Sequence, residues 1–300
     1  MSEDAILARV LAGLRRDEAM ILGPGDDCAV LEFGGRWLLA AVDQVVSDVH
    51  YQAGDTPPEA IAGKVLKRNL SDIAAMGGIP RWALLALAAT ARPDDWFERF
   101  FAGLEAAAKA FDVTLAGGDL GALPGPAAAE YAALTILGEV EPEKLCRRDR
   151  AEAGEALLVT GELGNTLASG HHLDFTPRLA EGRFLAGRWT RCMMDLSDGL
   201  GRDLRRLGRA SQVGFELDVS ALPRRAGADA RGAIGDGEDY ELVFTVAPDR
   251  VEALLASWPF PATLSVIGRV TKAAPGSLAL VNADTVLSEE EMDGYEHFRA

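Results

Sequence analysis

The chain has 300 residues, 48% hydrophobic and 25% charged, proportions that supply a core and exclude a disordered or collagen-like protein. At a soft prior of roughly 150 residues per domain, two domains are expected. Thirty lysines and arginines stand against 46 aspartates and glutamates, and the resulting charge of −16 argues against a nucleic-acid partner.

No run of eighteen apolar residues predicts a membrane span. The opening MSEDAILARVLAGLRRDEAM lacks the basic start of a signal peptide, so a cytoplasmic protein is expected. Cys28, Cys146 and Cys192 are odd in number and far apart, which suggests neither a disulfide framework nor a zinc site. His171 and His172 read as a helix end exposed to water.

Along the chain, Ile6, Leu7, Val10, Leu11 and Leu14 form a helical stripe over 4–15. The apolar runs 36–42 and 82–89 read as buried strands. Between them lies a long helix, with Thr56 as its cap, Pro57 and Pro58 at its start and Gly77-Gly78-Ile79-Pro80 at its end. A second helix follows Pro93-Asp94, and its Trp96, Phe97, Phe100, Phe101, Leu104 and Phe111 read as a core stripe. Segments 113–117 and 131–140 are strands separated by the loop GGDLGALPGP, and 141–155 reads as a charged linker. The second half opens with strand 156–161 and has a helix after Ser197-Asp198-Gly199. Strands near 213–219 and 241–246, a helix over 248–258 and a strand over 264–270 complete it. This alternation predicts an α/β (α+β) fold of two domains, 1–145 and 146–300.

Five short segments set aspartate beside glycine or at a strand end: Gly23–Asp27, Val42-Asp43, Gly117-Gly118-Asp119, Asp195–Gly199 and Gly235–Asp239. Asp72 adds a sixth carboxylate site from within the long helix. One such segment is an ordinary solvated turn. Several brought together would repel one another unless cations lie between them or their pKa values rise. Magnesium is the natural cation, since it prefers oxygen ligands and bridges carboxylates to phosphates. Neither a P-loop nor a G-x-G-x-x-G turn is present, so metal would have to neutralise most of any bound phosphate. The residues alone thus point to a magnesium-dependent enzyme acting on polyphosphates. On the long helix Lys64, Arg68 and Asp72 stand four apart, with Asn69 beside them, opposite the apolar Ile61, Val65, Leu66, Leu70 and Ile73. That ridge either presents cations and a metal ligand together, or is a surface helix with i,i+4 ion pairs.

The stretches GPGDDCAVL, VDQVVSDVHY, KVLKRNLSDIAAMGGIP, LAGGDL, MDLSDGLGRDL, GDGEDYELVFT and GYEHF occur in order from about residue 23 to residue 298. Together they resemble the thiamine-monophosphate kinase family of the aminoimidazole-ribonucleotide-synthetase-like superfamily. The resemblance implies ATP-dependent phosphorylation of thiamine monophosphate to thiamine diphosphate. It also implies an N-terminal domain that pairs in a homodimer and a C-terminal domain covering the site. By motif, Asp27, Asp43, Asp72, Asp119, Asp195 and Asp198 resemble magnesium ligands. Gly118, Asp119, Arg148 and Ser197 resemble ATP-binding positions, and His50, Glu238 and Tyr295 resemble positions that hold thiamine monophosphate. Asp119, Asp198 and Arg148 are the implied catalytic set.

Two loops depart from the family pattern. Ala41 and Val42 precede Asp43 where hydroxyl residues are usual, and Leu120-Gly121 replaces a hydroxyl pair after Asp119. Two alternatives stand beside the kinase: another ATP-using member of the superfamily, such as selenophosphate synthetase or aminoimidazole ribonucleotide synthetase, and, supported by these loops alone, a degenerate homologue that senses nucleotide or thiamine phosphate. Cys28 follows the Gly-Asp-Asp turn and reads as a small buried residue, not as a reactive thiol.

Overall fold

The computed structural model describes residues 6, 9–11, 18–125, 128–283, 288, 292, 294 and 295. The stripe expected over 4–15 lies largely outside the described residues, as do Glu296, His297 and Phe298 of the terminal motif.

Two six-stranded sheets carry the fold. The first contains β1 (Met20–Leu22), β2 (Ala29–Phe33), β3 (Arg36–Val46), β4 (Ile79–Ala89), β5 (Thr114–Ala122) and β6 (Tyr131–Val140). Their order is β1-β2-β3-β6-β4-β5, antiparallel except for the parallel pair β4/β5. The second contains β7 (Ala156–Thr160), β8 (Met193–Asp195), β9 (Gly214–Asp218), β10 (Leu242–Val246), β11 (Leu264–Thr271) and β12 (Leu278–Val281). Its order is β12-β9-β11-β7-β10-β8, with only β12/β9 parallel. The helices are α1 (Pro58–Ala75), α2 (Asp94–Ala110), α3 (His171–Asp174), α4 (Leu179–Leu185), α5 (Leu200–Ser211), α6 (Ala230–Gly235) and α7 (Val251–Ser257).

Several expectations need correction. Pro57, not Thr56, precedes α1, and the Thr56 hydroxyl accepts the Gln52 amide at 3.1 Å. The Gly117–Ala122 stretch is strand, not loop, because β5 continues along β4 past a bulge. Segment 141–155 is no solvated linker. It buries Leu145, Cys146 and Ala151 and forms two 3-10 turns, at 142–144 and 148–150. His171 and His172 are half-buried, the first ring on the Asp239 carbonyl at 2.9 Å and the second on the Thr166 carbonyl at 3.0 Å. The aromatic stripe of α2 is core except at Phe101, which is exposed: Phe100 and Leu104 are buried, and Trp96 stacks on Phe100 with centroids 5.4 Å apart.

Each sheet has its own apolar core, and a third cluster lies at the seam between the halves. There Ala74 and Ala75 of α1 meet Cys146, Leu158, Leu185 and Phe244. Small residues set this approach. A Cβ at Gly182 of α4 would lie 2.3 Å from the Ala74 carbonyl oxygen.

Helix α1 is enclosed beyond its first turn, where Glu59 is exposed. Its apolar residues Ile61, Val65, Leu66, Leu70 and Ile73 are buried, and so is its polar ridge, with Lys64 and Asn69 at 0% exposure. The surface-helix alternative is therefore excluded. Burial of a charge is tolerable only when it is paired and hydrogen-bonded. Lys64 Nζ meets Glu238 Oε1 at 2.7 Å and donates to the His50 carbonyl at 2.6 Å. Burial, partly offset by Glu238, lowers its pKa to about 8.

Two outcomes are expected. Gly182→Ala should destabilise the protein by about 1–3 kcal/mol, because its methyl meets backbone and forces the helices apart; an unchanged melting temperature would refute the close approach. For Lys64, the unfolded side chain titrates near 10.4, so between about pH 8 and pH 10 the unfolded chain binds more protons. Stability from this residue therefore rises with pH across that window and is lower beneath it. Thermal melts of wild type and Lys64→Met should diverge there in favour of wild type, and parallel curves would show that Lys64 is not held in a proton-disfavouring site.

Candidate active site

Three carboxylates converge at the seam. Asp27 comes from the loop between β1 and β2, Asp72 from the last turns of α1, and Asp195 from the end of β8. One oxygen from each lies within 4.8 Å of the others. Burial, reinforced by neighbouring aspartates, drives Asp72 and Asp195 well above the ordinary carboxylate range. Asp26, next to Asp27, is likewise pushed up to about 7 by burial and then by the Asp27 charge. Such a group of hard oxygen donors, in which ionisation is disfavoured by the protein alone, suits a divalent cation of the magnesium type.

Protein groups already brace this cluster. Arg148 binds Asp27 through its guanidinium, and its backbone amide donates to Asp26 Oδ2 at 3.0 Å. The Ser71 hydroxyl donates to Asp195 Oδ2 at 2.6 Å. Asp43 sits on β3 beside α1, where Asn69 Oδ1 accepts its amide at 3.0 Å and Arg68 Nε donates to its Oδ2 at 3.2 Å. Neither Ser71 nor Asp26 was singled out from sequence, although both lie inside motifs that were.

A cleft of about 440 Å³ opens beside the cluster. Its lining includes His50, Ser197, Asp198, Glu238 and Tyr295, so the three positions assigned to thiamine monophosphate share one cavity with two from the DLSDG loop. His50 Nδ1 accepts the Val46 amide at 3.0 Å, which places the proton of a neutral ring on Nε2. Glu238 and Tyr240 adopt left-handed backbone with φ of 66° and 51°, uncommon for residues other than glycine and a mark of functional loops. The loop is pinned to its neighbour by the Glu238 amide on the Ser197 carbonyl at 2.7 Å and the Tyr240 amide on the Leu196 carbonyl at 2.8 Å. Tyr240 itself, buried and stacked on Phe175 with centroids 4.0 Å apart, carried no separate signal in the sequence.

The DLSDG turn is organised by a residue the sequence did not single out. Buried Asp203, in the first turns of α5, accepts the amides of Ser197 and Asp198, each at 3.1 Å. Asp198 does not join the cluster of three. Its carboxylate is engaged by Arg206, with Arg202 Nε at 3.7 Å.

Gly118 and Asp119 also lie apart. A bulge in β5 realigns the strand so that Asp119 pairs with Ala86, on the exposed face of the sheet with Trp82 and Leu84. Both glycines are needed: Gly117 has φ of 145°, and a Cβ at Gly118 would lie 1.9 Å from the Leu85 carbonyl oxygen. Val42 is 66% exposed and alternates away from Asp43 onto that same outer face. The missing hydroxyl at position 42 therefore bears on the outer surface and not on the buried cluster.

Comparisons with known proteins place the chain in a family. Residues 25–140 match the family described as AIR synthase related protein, N-terminal domain, and residues 144–280 match the corresponding C-terminal domain. The chain is 33% identical over 305 aligned residues to thiamine-monophosphate kinase of Synechococcus elongatus, covering 91% of both chains. It is 34% identical over 294 aligned residues to thiamine-monophosphate kinase of Rhodopirellula baltica, covering 89% of this chain and 90% of that one. Among solved structures it resembles AaThiL complexed with AMPPCP and TMP, at 25% identity and a TM-score of 0.82, over 99% of this chain and 97% of that one. Thiamine-monophosphate kinase from Stenotrophomonas maltophilia is 31% identical with a TM-score of 0.73, over 92% of this chain and 94% of that one. With similarity spanning nearly its whole length and both matched domains in the family's order, the chain belongs to the thiamine-monophosphate kinase family.

Proposed function

We propose that this protein transfers the γ-phosphoryl group of ATP to thiamine monophosphate, giving thiamine diphosphate and ADP. The observation that carries this reading is the shared cleft of His50, Glu238 and Tyr295 beside the carboxylates of Asp27, Asp72 and Asp195. The Glu238 carboxylate suits a cationic thiazolium, and the Tyr295 ring offers a π-face to it. His50 lies on the same wall.

Magnesium held by Asp27, Asp72 and Asp195, with Asp43, Asp119 and Asp198 as further candidate ligands, would neutralise phosphate charge. The acceptor needs no strong general base, since a phosphate monoester is largely ionised near neutral pH. Alignment and charge neutralisation then supply most of the catalysis. Ser197, Gly118 and Arg148 are our candidates for holding ATP, with Arg148 kept rigid by Asp26 and Asp27. A cytoplasmic location fits both soluble substrates.

We also infer a homodimer formed through the outer face of the first sheet. That face exposes Val42, Trp82, Leu84 and Tyr131, at 66%, 44%, 39% and 40%. In the order β3-β6-β4-β5, Asp119 stands three strand spacings, roughly 14 Å, from Asp43, and on the opposite face. One chain alone therefore keeps these two aspartates apart, whereas a second chain seated on the exposed face would supply its own Asp119 to the neighbouring site.

Three measurements test these proposals. Incubation with ATP, magnesium and thiamine monophosphate should yield thiamine diphosphate and stoichiometric ADP; ATP binding without turnover would instead indicate a sensor. Asp72→Asn and Asp195→Asn should each reduce turnover by about 100–1,000-fold, the usual cost of one charge-stabilising group. Near-normal rates at low magnesium would remove those residues from the site. Finally, Asp119→Asn and Asp72→Asn chains, each inactive alone, should recover roughly a quarter of wild-type activity when equal amounts are refolded together, since half the dimers would carry one intact site. No recovery would place Asp119 in its own chain's site or outside catalysis.

A further inference from the structure

The cleft that receives the substrate is acidic, with Asp198, Asp236 and Glu238 in its lining. Those carboxylates suit the cationic end of thiamine monophosphate and oppose its phosphate. Among the described residues that line the cleft, Arg68 is the only lysine or arginine. Lys64 and Arg148 lie outside that lining, the first paired with Glu238 and the His50 carbonyl and the second with Asp26 and Asp27.

Arg68 is held in a defined plane. Its Nε donates to Asp43 Oδ2 at 3.2 Å, and its Nη1 donates to the Gln44 carbonyl at 2.9 Å. Nη2 makes no hydrogen bond among the described residues, and the residue is 9% exposed at the cleft wall. A guanidinium pinned on two nitrogens keeps little rotational freedom, so a donor left over on it is already oriented for an anion. Arg68 also lies one helical turn before Asp72 on the ridge of α1. A phosphate touching Nη2 therefore sits between the cleft and the carboxylate cluster, where the acceptor oxygen has to meet ATP.

We propose that Arg68 grips the phosphate of thiamine monophosphate and sets the preference for the phosphorylated over the unphosphorylated vitamin. This rests on the kinase reading above. The competing role is a plain counter-charge for Asp43, which would influence the site without touching ligand.

Calorimetric titration of thiamine monophosphate and of thiamine, with magnesium and a non-hydrolysable ATP analogue present, separates the two. Arg68→Met should weaken thiamine monophosphate by about tenfold or more while leaving thiamine affinity unchanged, the signature of a lost charge-assisted contact. Arg68→Lys, which keeps the charge and the means to pair with Asp43, should recover part of the discrimination and carries the test if the methionine variant does not fold. Equal losses for both ligands, or unchanged discrimination in either variant, would overturn the proposal while leaving the kinase reading intact. Wild-type protein that binds neither ligand, or does not distinguish them, would overturn the kinase reading and this inference with it.

Discussion

Mutual repulsion among carboxylates is the constraint on which this architecture depends. Asp27, Asp72 and Asp195 come from a loop, a helix and a strand end, yet their oxygens stand within 4.8 Å. Left alone, a buried group of this kind would open or bind protons. It persists because both halves of the chain are clamped around it. The third apolar cluster joins α1 to the second sheet, Gly182 lets α4 rest on the α1 backbone, and Ser71 and Arg148 tie down individual oxygens. Stability at the seam and the geometry of the acidic cluster are thus one property.

The second consequence is a division of labour along α1. A helix buried on all sides ordinarily carries apolar residues throughout. Here Lys64, Arg68, Asn69 and Asp72 occupy one inward ridge, and each cation has a partner from a different element: Glu238 for Lys64, Asp43 for Arg68. Removing any one partner would strand its neighbour, so the ridge is costly to alter piecemeal. Strain concentrates at the same place. Glu238 and Tyr240 hold left-handed backbone that costs on the order of 1–3 kcal/mol each. The amides of that loop are bound by Ser197 and Leu196 carbonyls, which fixes the conformation.

Much of this was legible in the residues. The long runs 36–42, 82–89 and 131–140 are strands because their apolar content exceeds what a turn tolerates, and α1 and α2 announce themselves by periodicity and proline starts. Of the six aspartates that the acidic motifs supplied, the structure groups Asp27, Asp72 and Asp195 and leaves Asp43, Asp119 and Asp198 outside that group. Short elements escaped: β1 and β8 have three residues each, too few to show a period. Segment 141–155 looked like a linker because its charges dominate its composition, whereas the structure spends Arg148 on Asp27 and buries Leu145 and Cys146. Asp203 gave no signal at all, since a lone aspartate early in a helix is common and its value lies in two amides it reaches across a turn. Distance between strands was equally invisible. Gly-Gly-Asp reads the same whether its carboxylate faces the protein's interior or its exterior.

That ambiguity is resolved by one residue. Ala83 pairs with Leu115 and Leu84 with Gly117, so Ala116 is the extra residue of the bulge. Side chains on a strand alternate with a period of two, so a one-residue slip of register inverts everything downstream, and the bulge, by absorbing one residue, sets which register is kept. Were Ala116 paired in regular register opposite Leu84, Asp119 would align with Leu87, whose side chain is buried, and its carboxylate would point inward. The strand's parity, a matter of counting and not of chemistry, therefore determines which side of the sheet this charge serves. Straightening the bulge so that Ala116 pairs would leave every acidic motif in the chain unchanged and still turn that motif inside out.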